Sequence, residues 1–291
     1  MLAFLLLCGM PGLAQEKPDP AEQGKPAAAG DTENLAKAAQ NPIASLISVP
    51  LQNNTGFGVG PYDRNQNVLN IQPVIPVRIS ENWNLISRII QPIVWQPNAF
   101  EPNGQGWFGL GDMNPTFFFS PAKPGKLIWG AGPAFVLPTA TADQLGQGKF
   151  SMGPGIVLLT TPGHWVIGML VNNVWSVAGE SNRPDVNQML LQYFINYNLK
   201  KGWYVTTSPI NTADWEASSG NRWVVPLGGG VGRIMRLGPQ PVNISVQFYG
   251  NAIHPAGASP WGMRMQIQFL YPKGAKKLEP KVLGWCPALR E

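Results

Sequence analysis

The stretch Trp261–Tyr271, WGMRMQIQFLY, constrains the fold more than any other part of this 291-residue chain. Successive side chains of a β-strand point to opposite faces, so its residues form two rows. The apolar row is Trp261, Met263, Met265, Ile267, Phe269 and Tyr271, and the other row holds Arg264, Gln266 and Gln268. A strand of a soluble sandwich also alternates, but it is usually shorter and more charged on its solvent face. Length and aromatic ends favour a membrane-crossing strand.

The composition agrees with a β-barrel. Charged residues make up 13% of the chain, against about 25% in soluble domains. No stretch approaches the roughly 20 apolar residues of a membrane-spanning helix. Alternating strands average to a hydropathy near zero, and the mean hydropathy here is -0.06. The net charge of +5 comes without a basic cluster that contains aromatics, so no nucleic-acid partner is expected.

Aromatic residues recur at the ends of the alternating segments. Trp83–Trp95 and Trp165–Trp175 both have a tryptophan at each end on the same face. Twelve strand residues tilted by roughly 40–45° span about 28–30 Å, enough for an apolar band of about 25 Å. The pattern predicts an aromatic girdle at both membrane interfaces, formed by Trp83, Trp95, Trp165, Trp175, Tyr197, Trp203, Trp261 and Tyr271.

The alternation predicts an all-β protein: a transmembrane antiparallel barrel of about twelve strands. The strands are Ser45–Phe57, Val68–Ile79, Trp83–Trp95, Asp112–Ser120, Leu127–Pro138, Phe150–Thr160, Trp165–Trp175, Val186–Leu199, Trp203–Asn211, Arg222–Arg233, Val242–Tyr249 and Trp261–Tyr271. Connections alternate between short ones, such as Ser80–Asn82, and longer ones, such as Gly58–Asn67 and Gln96–Gly111. Outer-membrane barrels have short periplasmic turns and longer external loops. A soluble β-sandwich, which has no reason to alternate in this way, is the weaker alternative.

Proline argues against uninterrupted strands. It cannot donate to a β-ladder, and a closed barrel has no free edge. Eight prolines fall within the predicted strands: Pro73, Pro76, Pro92, Pro115, Pro133, Pro154, Pro209 and Pro226. The sequence therefore predicts bulges or rim positions at these residues.

The regions outside the barrel have a different composition. Residues 1–14 predict a secretory signal peptide, 15–41 a disordered, flexible periplasmic segment with a helical turn or two around Asp31–Gln40, 42–273 the barrel and 274–291 a periplasmic tail. Cleavage after Ala14 would leave Cys286 as the only cysteine. An exported protein without disulfides is compatible with the outer membrane.

Two segments resemble a family of bacterial outer-membrane proteins. They are Asn41–Val94, NPIASLISVPLQNNTGFGVGPYDRNQNVLNIQPVIPVRISENWNLISRIIQPIV, and Trp261–Lys273, WGMRMQIQFLYPK. Members are commonly labelled transporters, or "neuromedin U" through a naming accident, and the family is similar to outer-membrane channels of phenol-degradation pathways. The resemblance implies a single porin-like barrel of Gram-negative bacteria that passes small molecules. It implies no catalytic residues.

The polar face of the strands predicts a pore. Its residues are Asn70, Gln72, Arg78, Asn84, Arg88, Asp112, Asn114, Gln188, Gln192, Asn196, Asn243, Gln247, Arg264, Gln266 and Gln268. Because the charges are mostly arginine, we expect a channel for small neutral or anionic solutes. Expected partners are outer-membrane lipid, the solute and the barrel-assembly machinery; no metal or cofactor is expected.

Two other functions remain open. Polar interior residues could form a hydrogen-bonded plug that conducts nothing. The protein would then act as a structural or adhesion barrel through its external loops, with Trp107, Trp175, Trp215 and Trp261 in or near the external rim. The less favoured alternative is a membrane-embedded hydrolase that uses His254 with Ser259 nearby. His164 falls in a periplasmic turn and His254 in an external loop, so the two histidines are not expected to share a site.

Overall fold

A closed antiparallel β-barrel of twelve strands makes up most of the protein. The computed structural model describes residues 29–272. Its elements are α1 (Ala29–Ala39), β1 (Ile47–Val59), β2 (Arg64–Ile71), β3 (Val74–Arg78), β4 (Trp83–Gln96), β5 (Trp107–Leu110), β6 (Asn114–Pro121), β7 (Leu127–Val136), β8 (Lys149–Thr160), β9 (Trp165–Gly179), β10 (Asn187–Asn198), β11 (Trp203–Thr207), β12 (Ile210–Asp214), β13 (Trp223–Leu237), β14 (Gln240–Ile253) and β15 (Trp261–Tyr271). No helix within residues 29–272 is long and apolar enough to span a membrane.

The fifteen segments form twelve barrel strands because three strands are interrupted once. β2 continues as β3, β5 as β6, and β11 as β12. The ring closes between the first and last strands, where Ile47 lies opposite Tyr271 and Phe57 opposite Trp261. Closure pairs both edges and leaves no open strand. The predicted twelve-stranded barrel is confirmed.

The alternation in β15 separates an outer surface from the barrel interior. Met265 and Ile267 expose 47% and 45% of their surface, whereas Arg264 and Gln268 expose 7% and 5%. Large apolar side chains are exposed on every side of the barrel, among them Val77, Phe119, Trp129, Ile156, Met169, Ile195, Val205, Val231, Phe248 and Met265. A continuous apolar surface of this kind is stable against lipid and not in water.

The connections alternate between short and long as predicted, with one exception. Residues 79–82, 122–126, 161–164, 199–202 and 238–239 connect strands at one end, which we call the short-turn end. Longer connections at the opposite, long-loop end are 97–106, 137–148, 180–186, 215–222 and 254–260. The exception is the expected long loop Gly58–Asn67. It is a tight turn, because β1 extends to Val59 and β2 begins at Arg64. Gly58 and Gly60 adopt the positive φ angles of 75° and 67° that this turn requires.

Several prolines lie where the β-ladder is already interrupted. Pro73 separates β2 from β3, and Pro209 separates β11 from β12. Pro226 lies at a register shift between β13 and β14. Pro133 and Pro154 face each other across β7 and β8. The lost donors are thereby concentrated at breaks, at a bulge and at a pair in which neither residue has an N–H.

Candidate functional site: the barrel lumen

The N-terminal segment 29–46 occupies the short-turn end of the lumen, and we call it the plug. In α1, Ala36 and Ala39 are buried in an apolar cluster. Their partners in this cluster include three inward-facing side chains of the barrel wall, namely Tyr204, Ile234 and Leu270. Further along the plug, Ile43 joins a second cluster formed by Val74, Ile86, Phe118, Val157, Leu159, Val166, Leu170 and Phe194. Of residues 15–41, which the sequence predicts to be flexible with a helical turn or two around Asp31–Gln40, the structure describes 29–41. There α1 spans Ala29–Ala39, and Ala36 and Ala39 are buried against the wall.

Polar contacts fix the plug at the same end. Gln40 and Asn198 exchange two amide hydrogen bonds of 2.9 and 3.2 Å. Gln268 donates to the carbonyl oxygen of Ala39 at 3.3 Å. Glu33 lies 3.2 Å from Lys37 and 3.3 Å from His164 in the turn after β8. The hydrogen bond from Lys37 is the main reason that the pKa of Glu33 lies below its usual value. Apolar contacts inside the lumen and polar contacts at its short-turn end therefore both hold the plug.

A polar cavity of about 150 Å³ lies next to the plug, and we call it the short-turn cavity. Plug residues 39–42 form part of its lining. Eight of the residues expected to line a pore also line it: Gln72, Arg88, Gln192, Asn196, Asn243, Gln247, Gln266 and Gln268. Within this wall, Asn243 accepts a hydrogen bond from the hydroxyl of Tyr204 at 2.8 Å and donates to Gln268 at 3.0 Å. Amide groups therefore dominate the surface available to a solute here.

A larger cavity of about 330 Å³, the long-loop cavity, lies towards the other end. Arg88 lines both this cavity and the short-turn cavity. Its other polar lining includes Asn114, Thr116, Asn172, Gln188, Asp214 and Arg222, and its apolar lining includes Ile90, Phe135, Val136, Val174 and Leu190. A third cavity, of about 220 Å³, contains Arg264 in its lining. Arg88 is thus a wall residue of both main cavities.

The two interior arginines of β4 and β15 have different surroundings. Arg264 donates to Asn54 Oδ1 at 2.9 Å and to the carbonyl oxygen of Ser208 at 2.7 Å. Its guanidinium also lies 5.2 Å from the ring centre of Tyr249. These bonds satisfy the backbone of Ser208 at the β11–β12 break, so Arg264 has a structural role. Arg88 donates to Gln72 Oε1 at 3.1 Å, the one protein hydrogen bond of its side chain among residues 29–272.

Four other residues expected in the pore line neither of the two main cavities. Asp112 accepts hydrogen bonds from the backbone N–H groups of Ala140 and Gln147, at 3.1 and 2.6 Å. Its carboxylate therefore fixes the loop 137–148 and is not in either main cavity. Arg78 is exposed and donates to carbonyl groups of the neighbouring turn, at Ser80 and Glu81. Asn70 and Asn84 are half-buried and line none of the three cavities.

All eight residues expected in the girdle are exposed on the outer surface, with fractions from 36% to 49%. They are Trp83, Trp95, Trp165, Trp175, Tyr197, Trp203, Trp261 and Tyr271. Trp165 and Tyr197 pack against each other on neighbouring strands, with ring centres 4.7 Å apart. This position is the one that an interfacial aromatic belt requires; contact with the lipid interface itself stays a prediction.

The suggested hydrolase residues do not hydrogen-bond to each other. His254 Nδ1 lies 3.0 Å from the carbonyl oxygen of Pro255. The hydroxyl of Ser259 donates to the carbonyl oxygens of Phe57 and Trp261, both at 2.6 Å. A nucleophilic serine needs its hydroxyl within reach of a base. Ser259 instead connects the β14–β15 loop to β1, which is a structural role.

The sequence interpretation missed the apolar half of the lumen. Val166 and Leu170 face inward from β9, although they are as apolar as the outward-facing Ile167 and Met169. The signal was present, because both faces of that strand are apolar. In β15 the polar row identifies the interior face. In β9 both rows are apolar, so the same rule cannot tell the interior face from the outer one.

Solved structures provide a comparison for this geometry. An outer membrane channel from Pseudomonas putida F1 superimposes with a TM-score of 0.59 at 11% identity, covering 78% of this chain and 94% of that chain. The chain has the fold of an outer-membrane channel. Together with the closed ring and its apolar outer surface, this fold confirms the expected location in the bacterial outer membrane.

Two further structures are less similar to this barrel. Outer membrane phospholipase A from Escherichia coli has a TM-score of 0.41 at 12% identity, covering 78% of this chain and 96% of that one. A FadL homologue of Pseudomonas aeruginosa has a TM-score of 0.40 at 8% identity, with 80% and 93% covered. No family model and no curated protein matches the chain. The "neuromedin U" label and the link to phenol degradation therefore stay predictions.

Proposed function

We propose that this protein is an outer-membrane channel for small neutral and anionic solutes, with aromatic compounds among them. The observation that carries the proposal is a pair of cavities inside a closed barrel that share Arg88 in their linings. Neither Arg88 nor Arg264 has a carboxylate within 4.0 Å among residues 29–272. Uncompensated positive charge in a narrow pore favours anions over cations. Outer-membrane lipid and the barrel-assembly machinery are the partners that this function requires.

In this proposal the plug is the closed gate of the channel. The short-turn end faces the periplasm, as short turns do in outer-membrane barrels. Ile43 is 5% exposed in the apolar cluster, and the plug's polar contacts to the wall there are the two amide hydrogen bonds between Gln40 and Asn198 and the one bond from Gln268 to Ala39. Opening therefore requires that a short apolar segment leave the wall, without the breaking of any strand pair.

Planar-bilayer recording of the full chain tests this proposal. In a salt gradient, the reversal potential should show an anion preference. Ile43→Asp places a charge in the apolar cluster and should increase the open fraction, whereas the conservative Ile43→Val should behave as the unchanged protein. A cation preference would refute the solute class. A lack of conductance in both the unchanged protein and Ile43→Asp would refute the channel.

The non-conducting barrel is the second candidate, and a different observation favours it. The plug fills one end of the lumen, and tryptophans are exposed at the opposite rim. Trp175 and Trp261 expose 45% and 49% of their surface there, and Trp215 packs edge-on against Trp223 with ring centres 5.5 Å apart. An adhesion barrel needs an external aromatic surface and no pore. The same bilayer recordings separate the two functions.

A further inference from the structure

Arg88 is an incompletely paired cation inside the barrel. It lies within β4 and faces Thr116 of β6 and Val74 of β3 across the ladder. A guanidinium carries five N–H donors, and the protein partner of Arg88 among residues 29–272 is Gln72 alone. Its side chain also lines the short-turn and the long-loop cavities. An anionic group in the lumen would satisfy them with charge-assisted hydrogen bonds.

Arg264, in the same barrel, has the surroundings of an arginine with a structural role. Its donors reach an amide oxygen, a backbone carbonyl and the hydroxyl of Ser208, the last at 3.4 Å. The face of Tyr249 covers its guanidinium. Within residues 29–272, Arg88 has no comparable partner on the long-loop side. The contrast assigns anion binding to Arg88 and not to Arg264.

The cavity wall next to Arg88 favours a ligand that has an apolar part as well as a negative charge. Ile90, Phe135 and Leu190 belong to the apolar lining of the long-loop cavity. A small inorganic anion would leave this surface without a partner, whereas the apolar body of an organic acid would cover it. Two arginines and one aspartate, Arg88, Arg222 and Asp214, line the cavity, and their net charge of one positive unit suits a monoanion.

We propose that the long-loop cavity binds organic monocarboxylates, with the carboxylate on Arg88 and the apolar body against Ile90, Phe135 and Leu190. A volume of about 330 Å³ accommodates a single ring or a short alkyl chain. This inference deepens the proposed channel function by naming the solute class. The site would hold such solutes between the external loops and the plug.

Calorimetric titration of the folded full chain in detergent tests the site with three probes. Benzoate has both the charge and the apolar body, benzyl alcohol lacks the charge, and acetate lacks the body. Benzoate should bind at least about tenfold more tightly than either of the other two. Arg88→Gln should weaken benzoate binding about 10- to 100-fold, because one charge-assisted contact contributes about 1.5–3 kcal/mol. Arg236→Gln removes an equal charge from an exposed position and should leave binding unchanged.

A second variant separates the apolar contact from the charge. Leu190→Thr should weaken benzoate binding and leave acetate unchanged. Heat-modifiable gel mobility shows whether each variant is folded; if Arg88→Gln does not fold, Arg88→Lys and Leu190→Thr provide the test. Benzoate binding that is insensitive to these variants, or acetate binding as tight as that of benzoate, would overturn the site. Because calorimetry needs no conduction, binding without conductance would refute the channel alone, and conductance without benzoate binding would refute this site alone.

Discussion

A charge placed on the outer face of β15 should destabilise the barrel far more than the same charge one residue further along. Met265 exposes 47% of its surface on the outer face, and it lies between Asn53 of β1 and Val246 of β14, within the span from Trp261 to Tyr271. Arginine on the lipid face near the bilayer midplane costs about 2–4 kcal/mol. Since about 1.4 kcal/mol is a factor of ten, Met265→Arg should lower the folding equilibrium constant by a factor between about 30 and 1,000.

Gln266 and Tyr271 provide two matched controls. Gln266 lines the short-turn cavity, so Gln266→Arg leaves the lipid face unchanged and should mainly alter conductance. Tyr271 pairs with Ile47 at the end of the strand, where the same substitution should cost at most about 1 kcal/mol. Tyr271→Arg therefore tests the dependence on depth.

Urea titration of folding into lipid vesicles measures these differences. Tryptophan fluorescence reports the folded fraction, and heat-modifiable mobility provides an independent check. The expected order of destabilisation is Met265→Arg, then Tyr271→Arg, with Gln266→Arg showing its effect in bilayer recordings. Equal costs at Met265 and Gln266 would refute the assignment of the two faces. A cost at Tyr271 as large as that at Met265 would refute the proposed membrane depth.

Two further predictions concern the interior. Gly232→Val would place a side chain where the ring of Tyr204 lies, and it should destabilise the barrel by about 1–3 kcal/mol in the same urea titration. Gly250→Ala, at a site with open space around it, should have little effect. Equal costs for the two substitutions would contradict this packing of Gly232 against Tyr204. Glu33 has a pKa below its usual value of 4.5, chiefly through its hydrogen bond from Lys37. Its contribution to holding the plug is therefore complete above about pH 4.5 and is lost as the pH falls through the lowered pKa. Open probability measured from pH 6 to pH 3 should rise on acidification, and Glu33→Gln should flatten that rise; an unchanged profile would exclude a role for Glu33.

Alternation predicted the barrel because its outer surface must be apolar everywhere. That requirement acts on each strand separately, so strands such as β15 and β10 can be predicted from their own residues alone. The interior obeys no such local rule. Val166 and Leu170 are apolar because they pack in the cluster that Ile43 of the plug joins, whereas Gln192 on the next strand is polar and lines the short-turn cavity. Which case applies depends on contacts with residues 36–46, more than a hundred positions away.

The difference between the two arginines was equally inaccessible from the sequence. Parity places both Arg88 and Arg264 inside the barrel. The partner that fixes Arg264 is the backbone of Ser208, which is available because the strand breaks before Pro209. A sequence pattern locates the proline, but only the folded ring brings that break next to β15.

The β1–β15 seam has a consequence for how the molecule assembles. Its two strands are joined across 202 positions of sequence, as the bond from Ser259 to Phe57 shows. Contacts at such separations form late and slowly. The plug directly precedes β1, one of the two strands of the seam, and lies inside the ring. Until the seam closes, the ring is an open sheet with two unpaired edges. A plug that moves without breaking a strand pair can enter the ring before or after that step.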